Sequence, residues 1–137
     1  MEARDKGPGT RDRARSYRDL KVWQRAMDLV EQSYRLAATL PSHELYGLAT
    51  QIRRAAVSIP ANLAEGNGRE HLGDYLHHVS IAHGSLMELE THLLIALRLQ
   101  YFQTDQIAST LELIAEVGRM LGGLRKSLKI TRSAAGR

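Results

Sequence analysis

Apolar residues along this chain recur at spacings of three and four in four successive blocks, with polar residues between them. That is the period of an α-helix with one face turned to a core. In the first block, from about Asp19 to Leu40, Leu20, Trp23, Met27, Val30, Tyr34 and Ala37 form one stripe. Val22, Ala26, Leu29, Leu36 and Leu40 form a second stripe beside it. Asp19 suits the N-cap or first turn, where an acid meets the positive end of the helix, and Pro41 stops the run. The second block extends from about Ser42, a capping residue, to Glu65, with Leu45, Leu48, Ile52, Ala55, Ala56, Ile59 and Leu63 as its stripe. Pro60 lies inside this block. It lacks an N–H and crowds the carbonyl of Ala56, which predicts a kinked but continuous helix. Gly66, Asn67 and Gly68 end it.

The third block runs from about Glu70 to Gln100 on Leu72, Leu76, Val79, Leu86, Leu89, Leu93, Ala96 and Leu97. The fourth starts at Thr104 or Asp105 and ends near Leu128, with Ile107, Leu111, Ile114, Leu121, Leu124 and Leu128 facing inward beside Leu113 and Val117. Gly118, Gly122 and Gly123 weaken it by up to ~1 kcal/mol each relative to alanine, or permit a close helix crossing. The links between blocks are only a few residues long, which forces antiparallel neighbours. The fold class is therefore all-α, an antiparallel up-down-up-down four-helix bundle over residues 17–128. Residues 1–16, charged and glycine-rich, are expected to form a disordered basic tail, and residues 129–137 a basic C-terminal tail. The topology puts both tails at one end of the bundle, beside the loop that carries Arg69.

Composition narrows the function classes. The chain has 137 residues, enough for one domain with a working core. It has no cysteine, which excludes a disulfide framework, a thiolate metal site and a cysteine nucleophile. No secretory signal and no membrane-length apolar run is present, so a cytoplasmic protein without a membrane role is expected. The net charge of +4 is unevenly placed. Residues 1–18 carry a net +3 and residues 125–137 a net +5, while 19–124 are net −4. Clustered Lys and Arg neutralise phosphates without reading sequence. Arg11, Arg13, Arg15, Arg18, Arg69, Arg125, Lys126, Lys129 and Arg132 are therefore the candidate RNA- or DNA-binding residues, and deleting both ends is expected to abolish binding. The alternative is a protein-interaction scaffold with no nucleic-acid role.

Catalytic chemistry finds no footing. There is no P-loop, dinucleotide fingerprint or nucleophile elbow. Five of the six histidines lie on the third helix or at its start. His71, His78 and His92 share a face, and His83 lies near Glu90. No Glu-x-x-His pair of the di-iron bundle type occurs. No metal, cofactor or enzymatic activity is expected. On the second helix, Gln51, Arg54, Ser58, Asn62 and Glu65 form a polar stripe. Glu90 sits at the core margin of the third helix, within reach of Gln51 or Arg54. These six residues are read as a polar network that sets register.

Three segments, DLKVWQRAMDLV, LPSHELYGLATQIRRAAVSIPANLAEGNGR and SLMELETHLLIALRL, occur in that order. They resemble the bacterial four-helix-bundle family first noted as proteins encoded in intervening sequences of large-subunit ribosomal RNA genes. The resemblance covers about residues 17–125. It is most specific from Leu45 to Gly66, where YGL, QIRRA, SIPAN and AEG fall together. It implies an antiparallel bundle that assembles as a ring-like homopentamer, with no known enzymatic activity. A related branch comprises the accessory variability proteins of diversity-generating retroelements, basic pentamers that bind nucleic acid and a reverse transcriptase. The net acidity of 19–124 departs from that branch. Tyr46, Gly47, Gln51, Arg53, Arg54, Ser58, Pro60, Asn62, Glu65, Gly66 and Glu90 carry the motifs, and the resemblance makes them structural or subunit-contact positions. A ring interface needs a second apolar surface; Val57, Ile81, Ile95 and Leu99, off the core stripes, are its candidates.

Overall fold

The structure, a computed structural model, describes residues 16–135. Four helices fill it: α1 (Lys21–Ala38), α2 (Leu48–Asn67), α3 (Leu72–Arg98) and α4 (Thr104–Ala135). Short 3-10 turns at Tyr17–Asp19 and Ser42–Glu44 precede α1 and α2. No strand forms among the described residues.

Contacting residues run in opposite order along neighbouring helices. Arg25 of α1 bonds Glu116 of α4, and Gln32, further along α1, bonds Thr110, earlier in α4. Ser85 of α3 meets Ser58 of α2, while the earlier His78 meets the later Asn62. Gly73 and Gly118 lie against Arg132 and Leu86 respectively, so α3 and α4 oppose each other too. Each helix packs on its sequence neighbour, and α1 closes the bundle on α4.

The core is aliphatic. Leu29, Ile52, Ile59, Leu63, Leu86, Leu89, Leu93, Ile107, Ile114 and Leu121 are fully buried, with Tyr75 and Phe102 the largest side chains among them. Each such aliphatic side chain contributes roughly 1.5–3 kcal/mol by leaving water. On α1 the buried face is Val22, Ala26, Leu29, Ser33 and Ala37. Met27 and Tyr34 therefore leave the expected core face and are exposed, while Leu20, Trp23 and Val30 of the same stripe pack partly buried against it. Small residues at 26, 33 and 37 set that choice, because they let α1 approach its neighbours closely. Leu45 likewise leaves the expected stripe of the second helix and is exposed.

Helix boundaries differ from expectation for local reasons. At the start, Ser16 caps the first 3-10 turn by accepting from the Arg18 N–H. Asp19 ends that turn, and α1 begins only after Leu20. The second helix begins at Leu48 rather than Ser42. Between them Glu44 folds back, and its Oε1 accepts the Leu48 N–H at 3.1 Å, so a glutamate four residues before the first residue of the helix serves as its cap. Pro60 is buried inside a continuous α2. At the end of α3, Gln100 takes a left-handed backbone with φ 65°. Tyr101 N–H reaches Ala96 O and Gln100 N–H reaches Leu97 O, the paired bonds of a Schellman stop. The largest difference is at the C-terminus: α4 continues past Leu128 to Ala135, so 129–135 is helix and not tail.

Candidate nucleic-acid interface

The continuation of α4 decides where the basic residues stand. Beyond Glu116 the helix carries Arg119, Arg125, Lys126, Lys129 and Arg132 and no acid. Part of that bias is local chemistry, since cations suit the negative end of a helix. Spacing does the rest. Arg125, Lys129 and Arg132 fall one and two turns apart and share a face. Lys126, Lys129 and Arg132 are exposed, and Arg125 is half-buried. That face meets the start of α3: the Arg132 guanidinium lies about 3.7 Å from where a Cβ on Gly73 would stand. A groove of about 290 Å³ runs between the two helices there.

Of the other predicted basic residues, the structure describes Arg18 and Arg69. Arg18 is exposed in the first 3-10 turn. Arg69 lies in the link between α2 and α3 and bonds Glu65 at 2.8 Å, so part of its charge is already matched. Arg11, Arg13 and Arg15 lie outside the described residues.

The predicted polar network forms in part, with different partners. Asn62 donates to Ser58 O and Oγ at 2.9 and 3.1 Å. Its Oδ1 lies 2.9 Å from His78 Nδ1. Because the Asn62 amide nitrogen is engaged with Ser58, Oδ1 is the acceptor and His78 Nδ1 the donor. Ser85 donates to Ser58 Oγ at 2.8 Å, and Glu65 lies 3.9 Å from His78 Nε2. Gln51 and Arg54 are exposed, and neither bonds Glu90 among the described residues. Glu90 is expected to meet Gln51 or Arg54, whereas the groups that meet between α2 and α3 are Asn62 with His78 and Ser58 with Ser85. His78 and Ser85 are one heptad apart, and that spacing opposite Ser58 and Asn62 was the available signal.

A second cluster left no local signal, because its members are nearly 60 residues apart. Tyr101 donates to Glu44 Oε2 at 2.9 Å, and His43 Nε2 lies 3.2 Å from the same hydroxyl. The Leu48 N–H, then the Tyr101 hydroxyl, hold the Glu44 carboxyl below the usual range, and Glu44 in turn raises Tyr101. On the α1–α4 side, Arg25 bonds both Glu116 oxygens and Asp28. The Arg25 hydrogen bonds keep Glu116 below its ordinary value. The Arg25–Glu116 pair ties α1 to α4. No group of three or more potential metal ligands gathers among the described residues. None of the helices is long and apolar enough to cross a membrane.

Several exposed apolar side chains lie at the opposite end, while Ile130, 62% exposed, lies among the basic residues of α4. Leu45 and Tyr46 precede α2, and Leu94, Ile95 and Leu99 end α3; Tyr46 is 90% exposed. The connecting turn and the end of α3 lie side by side in the antiparallel register. Val57 and Ile81 are exposed as well, nearer mid-helix.

The comparison with curated proteins finds no match. A family match spans residues 18–123, which takes in all of α1, α2 and α3 and the apolar half of α4. It stops just short of Arg125, so the basic end of α4 lies beyond the shared region. With most of the chain and its four-helix frame inside that match, the protein belongs to the 23S rRNA-intervening sequence protein family.

Proposed function

We propose that this protein acts by assembly and binding, not catalysis: a cytoplasmic, homopentameric four-helix bundle that holds RNA or DNA through phosphates, without sequence preference and without metal or cofactor. The observation that carries the reading is the end of α4, where four cations follow Leu124 on one continuous helix with no acid after Glu116. Such a face neutralises phosphates and releases counterions whatever the base sequence. The apolar patch at the other end supports assembly, because a heterologous ring needs a second apolar surface. Ring formation would then repeat the basic face five times.

The test is fluorescence anisotropy with a single-stranded RNA and a duplex DNA between 50 and 200 mM salt, a range of about fourfold. Log affinity is expected to fall linearly with log salt, by about 0.7–0.9 per phosphate contact. Lys126→Gln with Lys129→Gln is expected to reduce that slope by about 2. Binding that ignores salt, or no binding at the lowest salt, overturns the reading.

A further inference from the structure

The groove between α3 and α4 is more specific than a basic surface. Three cations of α4, Arg125, Lys129 and Arg132, face Gly73, His77 and Ser80 of α3. Both sets step by three or four residues, and the register from Gly73–Arg132 to Gly118–Leu86 sets Ser80 across from Arg125. The lining contains no acid; Leu76 completes it. Arg125 Nε is enclosed and has no acceptor among the described residues. A buried guanidinium N–H without a partner costs more than an exposed one. The groove also opens on the first turn of α3, where His71 at the N-cap makes no side-chain cap bond. The positive end of that helix adds to the three cations, with Asp74 the acid of the same turn.

We infer that this groove binds a phosphate monoester dianion. This rests on the reading of α4 as a phosphate-binding element and sharpens it. Attraction to a fixed set of cations scales with the charge of the ligand. An internal phosphodiester brings one negative charge, whereas a terminal monoester brings about 1.5 to 2 at neutral pH and three acceptor oxygens. Two guanidinium forks and an ammonium supply more donors than a diester can use. Ser80 and His77 add polar groups on the opposite wall. The monoester has two sources, the terminal phosphate of a nucleic-acid strand or a small phosphorylated molecule.

The experiment compares one single-stranded oligonucleotide with a 5′-phosphate or a 5′-hydroxyl, alongside an amide NMR titration with inorganic phosphate. The wild-type protein is expected to bind the phosphorylated strand at least about tenfold more tightly, the value of one added charged hydrogen bond. Inorganic phosphate should shift the amides of Gly73, His77 and Ser80. Gly73→Glu sets a resident carboxylate against Arg132 in a helix turn that favours acids. It should erase both effects without lowering the melting temperature. Lys129→Gln should weaken both and serves as the milder second variant. Equal affinity for the two strands, with no phosphate shift at the groove, overturns the inference and leaves backbone binding standing. Amide shifts at the groove with no binding of either strand overturn the nucleic-acid reading and assign the site to a small phosphorylated molecule.

Discussion

Glu44 shows how one side chain can hold two parts of a chain at once. One carboxylate oxygen caps α2 through the Leu48 N–H, and the other accepts from Tyr101, which the Schellman stop at Gln100 delivers to it. Both bonds favour the charged form, so the folded pKa lies below the unfolded value of about 4.5. Stability from such a group is complete above the unfolded pKa and is lost as pH falls through the folded one. The melting temperature of the wild type should therefore drop on acidification below about pH 4.5. Glu44→Gln should melt lower at pH 7 and show a shallower acid limb, as read by circular dichroism. Parallel limbs for the two proteins would show that Glu44 is not linked to folding. Only half of this was legible in the sequence. Glu44 follows Ser42, the expected start of the second helix, by two residues, but nothing local connects it to Tyr101.

Among the elements, α2 and α3 form the closest pair, and Gly66 marks why. A Cβ there would lie 2.8 Å from His78 Cβ and 3.0 Å from Tyr75 Cδ1. Gly66→Ala is therefore expected to destabilise by about 1–3 kcal/mol through overpacking. Gly122 is the contrast, since an added Cβ meets nothing within 4 Å. Gly122→Ala should stabilise by up to about 1 kcal/mol through helix propensity. Urea unfolding midpoints moving in opposite directions would bear out both. Helix number, order and type were legible from the 3.6-residue period. Which of two adjacent stripes on α1 is buried was not, because period is blind to the depth of the neighbouring groove. Nor was the end of α4 legible: Thr131, Ser133 and the surrounding basic residues look like a solvated tail until the helix is seen to continue beside α3.

The basic groove lies at one end of the bundle, and Leu45, Tyr46, Leu94, Ile95 and Leu99 are exposed toward the other. Each end then has its own task in the proposed assembly. Tyr46→Ala with Ile95→Glu is expected to leave the helical spectrum intact while converting a species of five times the 15.3 kDa chain mass into monomer in sedimentation analysis. Because multivalent contacts multiply, affinity for long RNA should fall by roughly 100-fold or more in that monomer although its basic groove is untouched. A variant that stays oligomeric would move the subunit contact elsewhere, and a wild type that sediments as monomer would leave the patch to a protein partner. The candidate binding residues were legible as a composition bias at the two ends of the chain. Their sorting was not. Arg69 pairs with Glu65, and Arg125, Lys129 and Arg132 are brought onto one groove wall.

The sequence by itself determined the four helices, their order and the antiparallel pairing. Those follow from local periodicity, local stop residues and links too short to do otherwise. Tertiary structure alone decided which stripe of α1 is buried, which polar groups satisfy one another between α2 and α3, and that the basic end of α4 faces the first turns of α3. Each of these depends on the relative depth and register of two helices. That is set by how side chains distant in the chain fit together, and no local pattern encodes it.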